Sequence, residues 1–255
     1  MTFDCFALHL YREMTIAENI AKQIERIPED TTFGYSDLNI TKEQFLTAAK
    51  AIERLLKAGK IKKVSKGKFY KPKMTVFGEL KPSETELLKP YLFQDGKRIA
   101  YITGNYLYNK LGFTRQVTSK LNIASRSKRI FVNTGALKAT AVKSYAEVTD
   151  ENYHLLGFLD AIKDFKTIPD LNSKSGIEII SSSIDALTKK QLKLLTEYAL
   201  LYPARVRAVL GAILEYKGYQ KEIKPLKESL NPLSKYKLPI AKMDLPTIES
   251  YNISQ

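Results

Sequence analysis

The sequence of 255 residues predicts an α+β fold that consists of two domains and a C-terminal tail. Three observations support this fold class. Residues 15–75 combine helical periodicity, a short strand and a basic β-hairpin in close succession. Residues 76–216 mix β-like segments with a longer helical part. Residues 217–255 carry four prolines at seven-residue spacing, which favours an extended chain.

Composition limits the class of protein before any motif is considered. Hydrophobic residues make up 44% and charged residues 27%, as in an ordinary folded chain. No apolar run approaches the roughly 18 residues that a membrane span needs. The N-terminus has neither the basic segment nor the cleavage site of a signal peptide. The single cysteine, Cys5, excludes an internal disulfide and a cysteine-based zinc site, so we expect a cytoplasmic protein.

The charge balance favours a polyanionic partner. Forty-one Lys and Arg face 27 Asp and Glu, which leaves a net charge of +14. A surplus of this size is typical of proteins that bind nucleic acid, although an acidic membrane or protein is also compatible with it. Residues 57–73 hold eight lysines and no acid. A lysine run by itself is usually a solvated face; its position in a hairpin is what favours nucleic acid.

The first domain is predicted in five pieces. Isoleucines recur on one face of a helix over residues 15–27, for which Thr15 is the N-cap. Residues 31–33 predict a short strand, and Ser36 can cap a brief helix at residues 37–39. The remaining two pieces are a longer helix and a hairpin.

The longer helix is predicted to start at Thr41, with Gln44 completing a capping box, and to end at Gly59. Its buried face is expected to consist of four apolar residues, Phe45, Ala49, Ile52 and Leu56. The hairpin follows as residues 60–65 and 68–71, joined at Lys66-Gly67. This order of elements is typical of a winged helix-turn-helix, in which a helix enters the major groove and the wing neutralises phosphates.

The second domain, residues 76–216, is predicted to be mixed α/β with a helical C-terminal part. Helices are expected at residues 83–88, 101–111, 150–165, 174–186, 188–201 and 204–216. Strands are expected at residues 117–124, 130–133 and 137–142. The tail, residues 217–255, is predicted to be non-helical and to pack in extended form through Leu226, Leu233, Leu238, Ile240 and Leu245, with a disordered terminus as the alternative.

Residue chemistry gives little support to an enzyme. The two histidines are His9 and His154, and neither a Gly-rich phosphate loop nor an activated serine is recognisable. Asp164-Phe165-Lys166 is similar to the Asp-x-Lys element of metal-dependent nucleases, but Pro169-Asp170 follows it in the reverse of that motif's order. Asp160 and Asp164 at i, i+4 are more simply a polar helix face. We expect no enzymatic activity, no cofactor and no metal.

Two phrases carry a family resemblance. Residues 59–72, GKIKKVSKGKFYKP, and residues 77–82, FGELKP, resemble the AbiEi family of transcriptional-regulator antitoxins. Shorter matches occur at residues 101–104, 111–117, 159–164 and 202–211. The resemblance covers about residues 15–216, and the phrase in the hairpin is its most specific part.

The resemblance implies a function that composition does not give. Members of that family join a winged-helix DNA-binding domain to a C-terminal antitoxin domain that counters a nucleotidyltransferase-like toxin, in a type IV toxin–antitoxin system of phage defence. They repress their own operon, and a stable complex with the toxin is not required. The implied partners are therefore operator DNA and, functionally, a cognate toxin.

The resemblance places DNA contacts in the longer helix and the wing, at Thr41, Lys42, Gln44, Thr47, Lys50, Arg54, Lys63, Lys66 and Lys68. Charge alone marks a second basic patch at Arg115, Arg126, Lys128, Arg129, Arg205 and Arg207. Two alternatives remain at this point. One is a winged-helix regulator whose C-terminal domain senses a ligand or dimerises, and the other is a metal-dependent nuclease.

Overall fold

The chain forms a mixed α+β structure, as the sequence predicts. It divides into two compact units between Pro90 and Tyr91, called unit 1 and unit 2 below. The part of the chain that the computed structural model describes comprises residues 14–76, 78–80, 82–134 and 137–254. Cys5 and His9 lie outside these ranges. No helix within them is long and apolar enough to cross a membrane.

Unit 1 alternates helices and short strands. Its elements are α1 (Ile16–Arg26), β1 (Thr31–Gly34), a 3-10 turn (Tyr35–Asp37), α2 (Phe45–Lys57), β2 (Lys62–Ser65), β3 (Lys68–Lys71), β4 (Lys73–Thr75), β5 (Gly78–Leu80) and α3 (Glu84–Leu92), which continues across the boundary. Strands β1, β3 and β2 form an antiparallel sheet in that order, with β3 central. Strands β4 and β5 form a separate hairpin.

The predicted cap of α1 is present. The Glu18 amide donates to the Thr15 hydroxyl at 3.2 Å, and the Thr15 amide donates to the Glu18 carboxylate at 2.9 Å. Ile20 and Ile24 are buried in the core of unit 1. Burying each of these side chains contributes about 1.5–3 kcal/mol, more than the propensity of so short a helix supplies by itself.

The predicted burial of α2 is wrong by part of a turn. Ile52 is buried as predicted, but Ala48 and Ala51 are buried with it, whereas Phe45 is 44% exposed. The small side chains of the two alanines allow α2 to pack closely on α1, and this close approach sets the rotation of α2. The helix also begins at Phe45 instead of Thr41, because residues 42–44 form a turn.

The predicted domain boundary at residue 75 falls inside the β4–β5 hairpin. Two contacts tie this hairpin to the first sheet. Lys62 forms a salt bridge with Glu79, and the Tyr70 hydroxyl donates to the Leu80 carbonyl at 3.1 Å. The compact unit therefore extends beyond the predicted boundary.

Unit 2 begins with strands and ends with helices. Its strands are β6 (Phe93–Gln94), β7 (Lys97–Arg98), β8 (Ala100–Thr103), β9 (Lys120–Ser125), β10 (Val132–Thr134), β11 (Leu137–Lys143), β12 (Tyr236–Lys237) and β13 (Ile253–Ser254). Its helices are α4 (Asn105–Lys110), α5 (Tyr153–Asp164), α6 (Ser173–Asp185), α7 (Lys189–Ala199), α8 (Ala204–Tyr216) and α9 (Gln220–Glu228). Two 3-10 turns complete it at Phe165–Thr167 and Pro246–Tyr251.

The main sheet of unit 2 has the strand order β10-β11-β9-β8. Strands β9 and β11 are parallel, whereas β8 and β10 run antiparallel to their neighbours. The predicted helix over residues 101–111 is wrong in its first part, which is strand β8. Gly104 has φ of 74° and separates this strand from the short helix α4.

The prediction that the prolines exclude a helix from the tail is wrong. Helix α9 contains Pro225 in its interior. An interior proline costs about 3 kcal/mol. Burial of Ile223 and Leu226 against unit 2 offsets that cost, because each contributes about 1.5–3 kcal/mol.

The rest of the tail belongs to unit 2 rather than to solvent. Leu238, Ile240 and Leu245 are buried in its core, whereas Leu233 is 90% exposed. Parallel strands β12 and β13 pair the two ends of the segment. The Thr247 hydroxyl also donates to a carbonyl of α8 at 2.6 Å.

A glycine in α8 allows the last 3-10 turn to pack closely. A Cβ at Gly211 would overlap the ring of Tyr251, whose hydroxyl donates to Glu215 at 3.0 Å.

We expect Gly211→Ala to lower the free energy of unfolding of unit 2 by about 1–3 kcal/mol through overpacking. Urea denaturation measures this change. The double variant with Tyr251→Leu should recover part of it, and an additive double variant would contradict the packing explanation.

Candidate nucleic-acid interface

Helix α2 presents a basic face to solvent. Because Ala48 and Ala51 face α1, the side chains of Thr47, Lys50 and Arg54 lie on the opposite side and are exposed. Lys42 is exposed in the turn that precedes the helix. Thr41 is exposed there as well, and its backbone amide donates to the side-chain carboxamide of Gln44 at 3.4 Å. The name outer face of α2 is used below for Thr47, Lys50 and Arg54 of the helix together with Thr41, Lys42 and Gln44 just before it.

Sequence reasoning missed Leu46. It is 75% exposed and lies one turn before Lys50 on the same side of α2. A single exposed apolar side chain is common on protein surfaces, and only its place beside the cation Lys50 makes Leu46 a candidate contact. The two alanines are the signal in the sequence that could have found it. If Ala48 and Ala51 are placed in the core, Leu46 must face outward.

The hairpin β2–β3 stands beside this helix. Its turn is Lys66-Gly67, and Gly67 has φ of 71°, which few other residues adopt. Lys63 and Lys66 are exposed, and Lys68 is partly buried in the strand that follows. Lys63 and Lys66 line the same cavity of about 650 Å³ as Phe45 and Leu56 of α2. The hairpin lysines and α2 are therefore neighbours.

The four apolar residues of the predicted stripe line this cavity, and Ile52 among them is also buried in the core. Phe45 lies 4.9 Å from Tyr35 and Tyr35 lies 5.4 Å from Phe69, measured between ring centroids. This row of rings joins the start of α2 to the central strand β3. The predicted apolar stripe thus holds helix and hairpin at a fixed spacing.

The lysines of the basic run have different roles. Lys57 pairs with Glu53 at 3.0 Å and Lys62 pairs with Glu79. The Lys71 ammonium donates to the carbonyls of Ile24, Glu25 and Ile27 at 2.6–3.2 Å, so it caps the C-terminus of α1. These three lysines have protein partners.

Five further basic side chains on α2, in the turn before it and on the hairpin β2–β3 are exposed. None of them forms a salt bridge with any residue in the described ranges. They are Lys42, Lys50 and Arg54 around α2 and Lys63 and Lys66 on the hairpin.

Two glutamates accompany these cations. A hydrogen bond from the Thr41 side chain lowers the pKa of Glu43, and a hydrogen bond from Lys57 lowers the pKa of Glu53. Both carboxylates are therefore ionised at neutral pH. Glu53 pairs with Lys57, whereas Glu43 has the hydrogen bond from Thr41.

The second basic set does not form one patch. Arg126, Lys128 and Arg129 lie together with Lys143 in a cavity of about 500 Å³ at one end of the main sheet. Arg205 lines a different groove, beside residues 235–238. Arg207 donates to the Ser229 carbonyl at 3.0 Å and holds the start of the tail. Arg115 is exposed and lines neither cavity.

The acidic residues of the nuclease alternative have structural partners. The Asp160 carboxylate is buried and accepts hydrogen bonds from Tyr101 at 2.8 Å and Thr103 at 2.7 Å. Asp164 accepts from Tyr108 at 2.6 Å, and Asp170 accepts from Gln116 at 2.9 Å. No group of three or more His, Cys, Asp or Glu suited to a metal ion occurs among the described residues.

The tyrosines of this network stay protonated. Burial, followed by the charge of the neighbouring carboxylate, raises the pKa of Tyr101, Tyr108 and Tyr202. Each is a hydrogen-bond donor throughout the physiological range. The hydroxyl groups of these tyrosines therefore stabilise the carboxylates of Asp160 and Asp164.

A small apolar cavity bears on the ligand-sensing alternative. It has a volume of about 230 Å³, and Tyr106, Lys110, Tyr153 and His154 are among its lining residues. Burial lowers the pKa of His154, which favours the neutral imidazole. Arg98 also lines it, but its guanidinium is paired with Asp150 at 2.8 Å and lies 3.9 Å from the Tyr153 ring centroid.

Comparison with known proteins places the chain in a family. The family described as "Family of unknown function (DUF6088)" matches residues 19–193. The chain belongs to the DUF6088 family. The match extends from α1 into α7, so it covers most of unit 1 and the first part of unit 2. No curated protein matches the chain.

A solved structure shares the fold of this DUF6088 member. The crystal structure of the Rv2827c protein from Mycobacterium tuberculosis has a TM-score of 0.53 to it, over 93% of this chain and 90% of that chain. The sequences are 11% identical, so the likeness concerns the fold alone.

Proposed function

We propose that this protein is a winged-helix DNA-binding repressor whose second unit serves as an antitoxin. The observation that carries the DNA-binding part is the set of five exposed cations without carboxylate partners, which lie on α2 and on the adjacent hairpin. Cations left unpaired on two neighbouring elements repel one another, and a polyanion removes that cost. The order helix, strand, turn, helix and antiparallel hairpin supports a winged helix-turn-helix.

In this proposal α2 is the recognition helix. Its outer face enters the major groove, where Lys50 can donate to guanine and Thr47 can contact either kind of base pair. Leu46 adds an apolar contact suited to a thymine methyl group. Lys63 and Lys66, with Lys68 behind them, bind backbone phosphates and fix the register of the helix.

The antitoxin part rests on the resemblance to the AbiEi family. That resemblance continues into unit 2 at residues 101–104, 159–164 and 202–211. The partner would be the operator of the protein's own operon together with a nucleotidyltransferase-like toxin, which need not form a stable complex. The cytoplasm is the expected compartment, and we propose no catalytic role.

A second candidate function is ligand sensing by unit 2. The small cavity beside His154 supports it, because apolar walls and a few polar groups are typical of ligand sites. Its volume is below the usual range of about 300–1,000 Å³ for drug-sized ligands, which limits it to small molecules. We therefore rank this function second.

Substitution of the hairpin lysines tests phosphate binding by the wing. Changing Lys63, Lys66 and Lys68 together to Ala should weaken binding to all DNA sequences alike, because phosphate contacts carry no sequence information. The slope of log K against log salt should fall by about 0.9 for each phosphate that the variant no longer neutralises. Fluorescence anisotropy across a salt series measures both effects. A charge-matched control is Lys174, Lys189 and Lys190 changed to Ala in unit 2, and an unchanged slope in the wing variant would overturn the assignment.

Substitutions of Lys50 and Leu46 test base reading by α2. Lys50→Ala should reduce the preference for operator over random DNA by about 1–3 kcal/mol for each base that Lys50 reads. Leu46→Ala should reduce it only at positions occupied by thymine. Competition binding with operator variants measures these preferences. An equal decrease of specific and non-specific affinity in Lys50→Ala would make Lys50 a phosphate ligand and place readout elsewhere.

The two functions should be separable in the full-length chain. The triple wing variant should lose repression of a reporter driven by its own operator, because DNA binding resides in unit 1. It should still protect cells that express the neighbouring nucleotidyltransferase-like toxin. Reporter activity and colony counts measure the two properties. Loss of protection at an unchanged protein level would refute the division of labour.

A further inference from the structure

Unit 2 contains a basic cavity that the proposed repressor function does not use. It has a volume of about 500 Å³, within the range of small-ligand sites. Its lining residues are Ser125, Arg126, Ser127, Lys128, Arg129, Phe131, Ala141, Val142 and Lys143. None of these residues is acidic, and four of them are cationic.

The four cations have no acidic partner. Neither Arg126, Lys128, Arg129 nor Lys143 forms a salt bridge with a residue of the described part of the chain. All four are exposed. Like charges gathered around one concavity raise the local positive potential, and an anionic ligand lowers that energy.

The backbone builds this cavity at a favourable place in the sheet. It lies where the parallel strands β9 and β11 both end, with Ser125 opposite Lys143 in the register. Carboxyl ends of parallel strands are the usual position of ligand sites in α/β sheets. The Ser125 hydroxyl donates to the Ile99 carbonyl at 2.7 Å, and Arg126 donates to the Ser144 carbonyl at 3.4 Å, so the floor is tied to neighbouring segments.

An exposed aromatic ring distinguishes this cavity from a simple anion site. Phe131 is 67% exposed and lines the cavity together with the cations. A phenyl ring adds nothing to the binding of inorganic phosphate. It does stack on a nucleobase, and each such stacking contact changes affinity by about 10-fold or more.

The same combination disfavours a double helix as the occupant. Paired bases in a duplex stack on one another, and the backbone presents only phosphate and sugar to a protein surface. A concavity with a ring at its edge suits a base that is free to leave the stack. The chemistry required is one nucleobase with phosphates next to it.

We propose that unit 2 binds an unpaired nucleotide in this cavity, with its base on Phe131 and its phosphates on Arg126, Lys128, Arg129 and Lys143. The nucleotide can belong to a single strand of nucleic acid or be free in solution. The site is in unit 2, so it is independent of duplex binding by α2 and the hairpin.

The test is anisotropy titration of the full-length protein in a background with Lys50, Lys63 and Lys66 changed to Ala, which removes binding by unit 1. The probes are a labelled oligouridylate of about 10 nucleotides, uridine triphosphate as competitor, and a labelled duplex of unrelated sequence. The variants are Phe131→Ala, Phe131→Tyr, and Arg126, Lys128 and Arg129 together changed to Ala. Thermal unfolding verifies that each variant is folded.

The proposal expects oligouridylate binding that falls about 10-fold in Phe131→Ala and is retained in Phe131→Tyr. The triple basic variant should lower the salt slope by about 2, whereas Lys174, Lys189 and Lys190 changed to Ala should not. Full competition by uridine triphosphate would identify a free nucleotide as the ligand, and weak competition would identify a strand.

Three results would overturn the proposal. They are no binding of either nucleotide probe, tighter binding of duplex than of single strand with no effect of Phe131→Ala, and equal decreases in affinity in the basic variant and its charge-matched control. A failure of operator binding by α2 would leave all of these measurements interpretable.

Discussion

The buried carboxylate of Asp160 is the group on which unit 2 depends. An ionised group removed from water is costly unless it is paired and hydrogen-bonded. Here Tyr101 and Thr103 of β8 donate to one oxygen, and Lys163 lies 3.3 Å from the other. Tyr202, just before α8, lies 3.3 Å from the same oxygen as Lys163. One charge thus joins the sheet to two of the most deeply buried helices.

In unit 1 a steric constraint, and not a buried charge, determines how the two helices pack. Ala48 and Ala51 allow α1 and α2 to approach closely, and larger residues there would push the helices apart. The rotation of α2 follows from that approach, and with it the exposure of Lys50 and Leu46. The basic character of the outer face therefore has its origin in two small apolar residues on the opposite side of the helix.

Local signals in the sequence were sufficient for the order of elements from α1 to β3 and for most of the helices in unit 2, but the β4–β5 hairpin was not predicted. The Thr15 capping box and the turn at Gly67 are examples, because each depends on residues close together in the chain. Periodicity was not sufficient for α2, since Phe45 of the predicted stripe is largely exposed and Ala48 and Ala51 join Ile52 in the core. Likewise, the predicted helix over residues 101–111 includes most of strand β8. Only residues 105–110 are helical, because β8 is fixed by its pairing with β9, which is distant in sequence. Among the candidate basic residues, Arg207 is predicted to lie in a surface patch. Its hydrogen bond to the Ser229 carbonyl of the tail could not be predicted, because the two residues are far apart in sequence.

The position of Lys71 has a chemical consequence for the hairpin. Its amine is surrounded by three carbonyl oxygens at the end of α1, whereas the amine of Lys66 projects from the hairpin turn into solvent. Lysines so close in sequence therefore differ in nucleophilic availability. Acylation at Lys66 would remove a charge and leave the fold intact, but acylation at Lys71 would first require the end of α1 to open. If the hairpin binds DNA as proposed, modification at its tip would lower that affinity while α1 keeps its C-terminal cap.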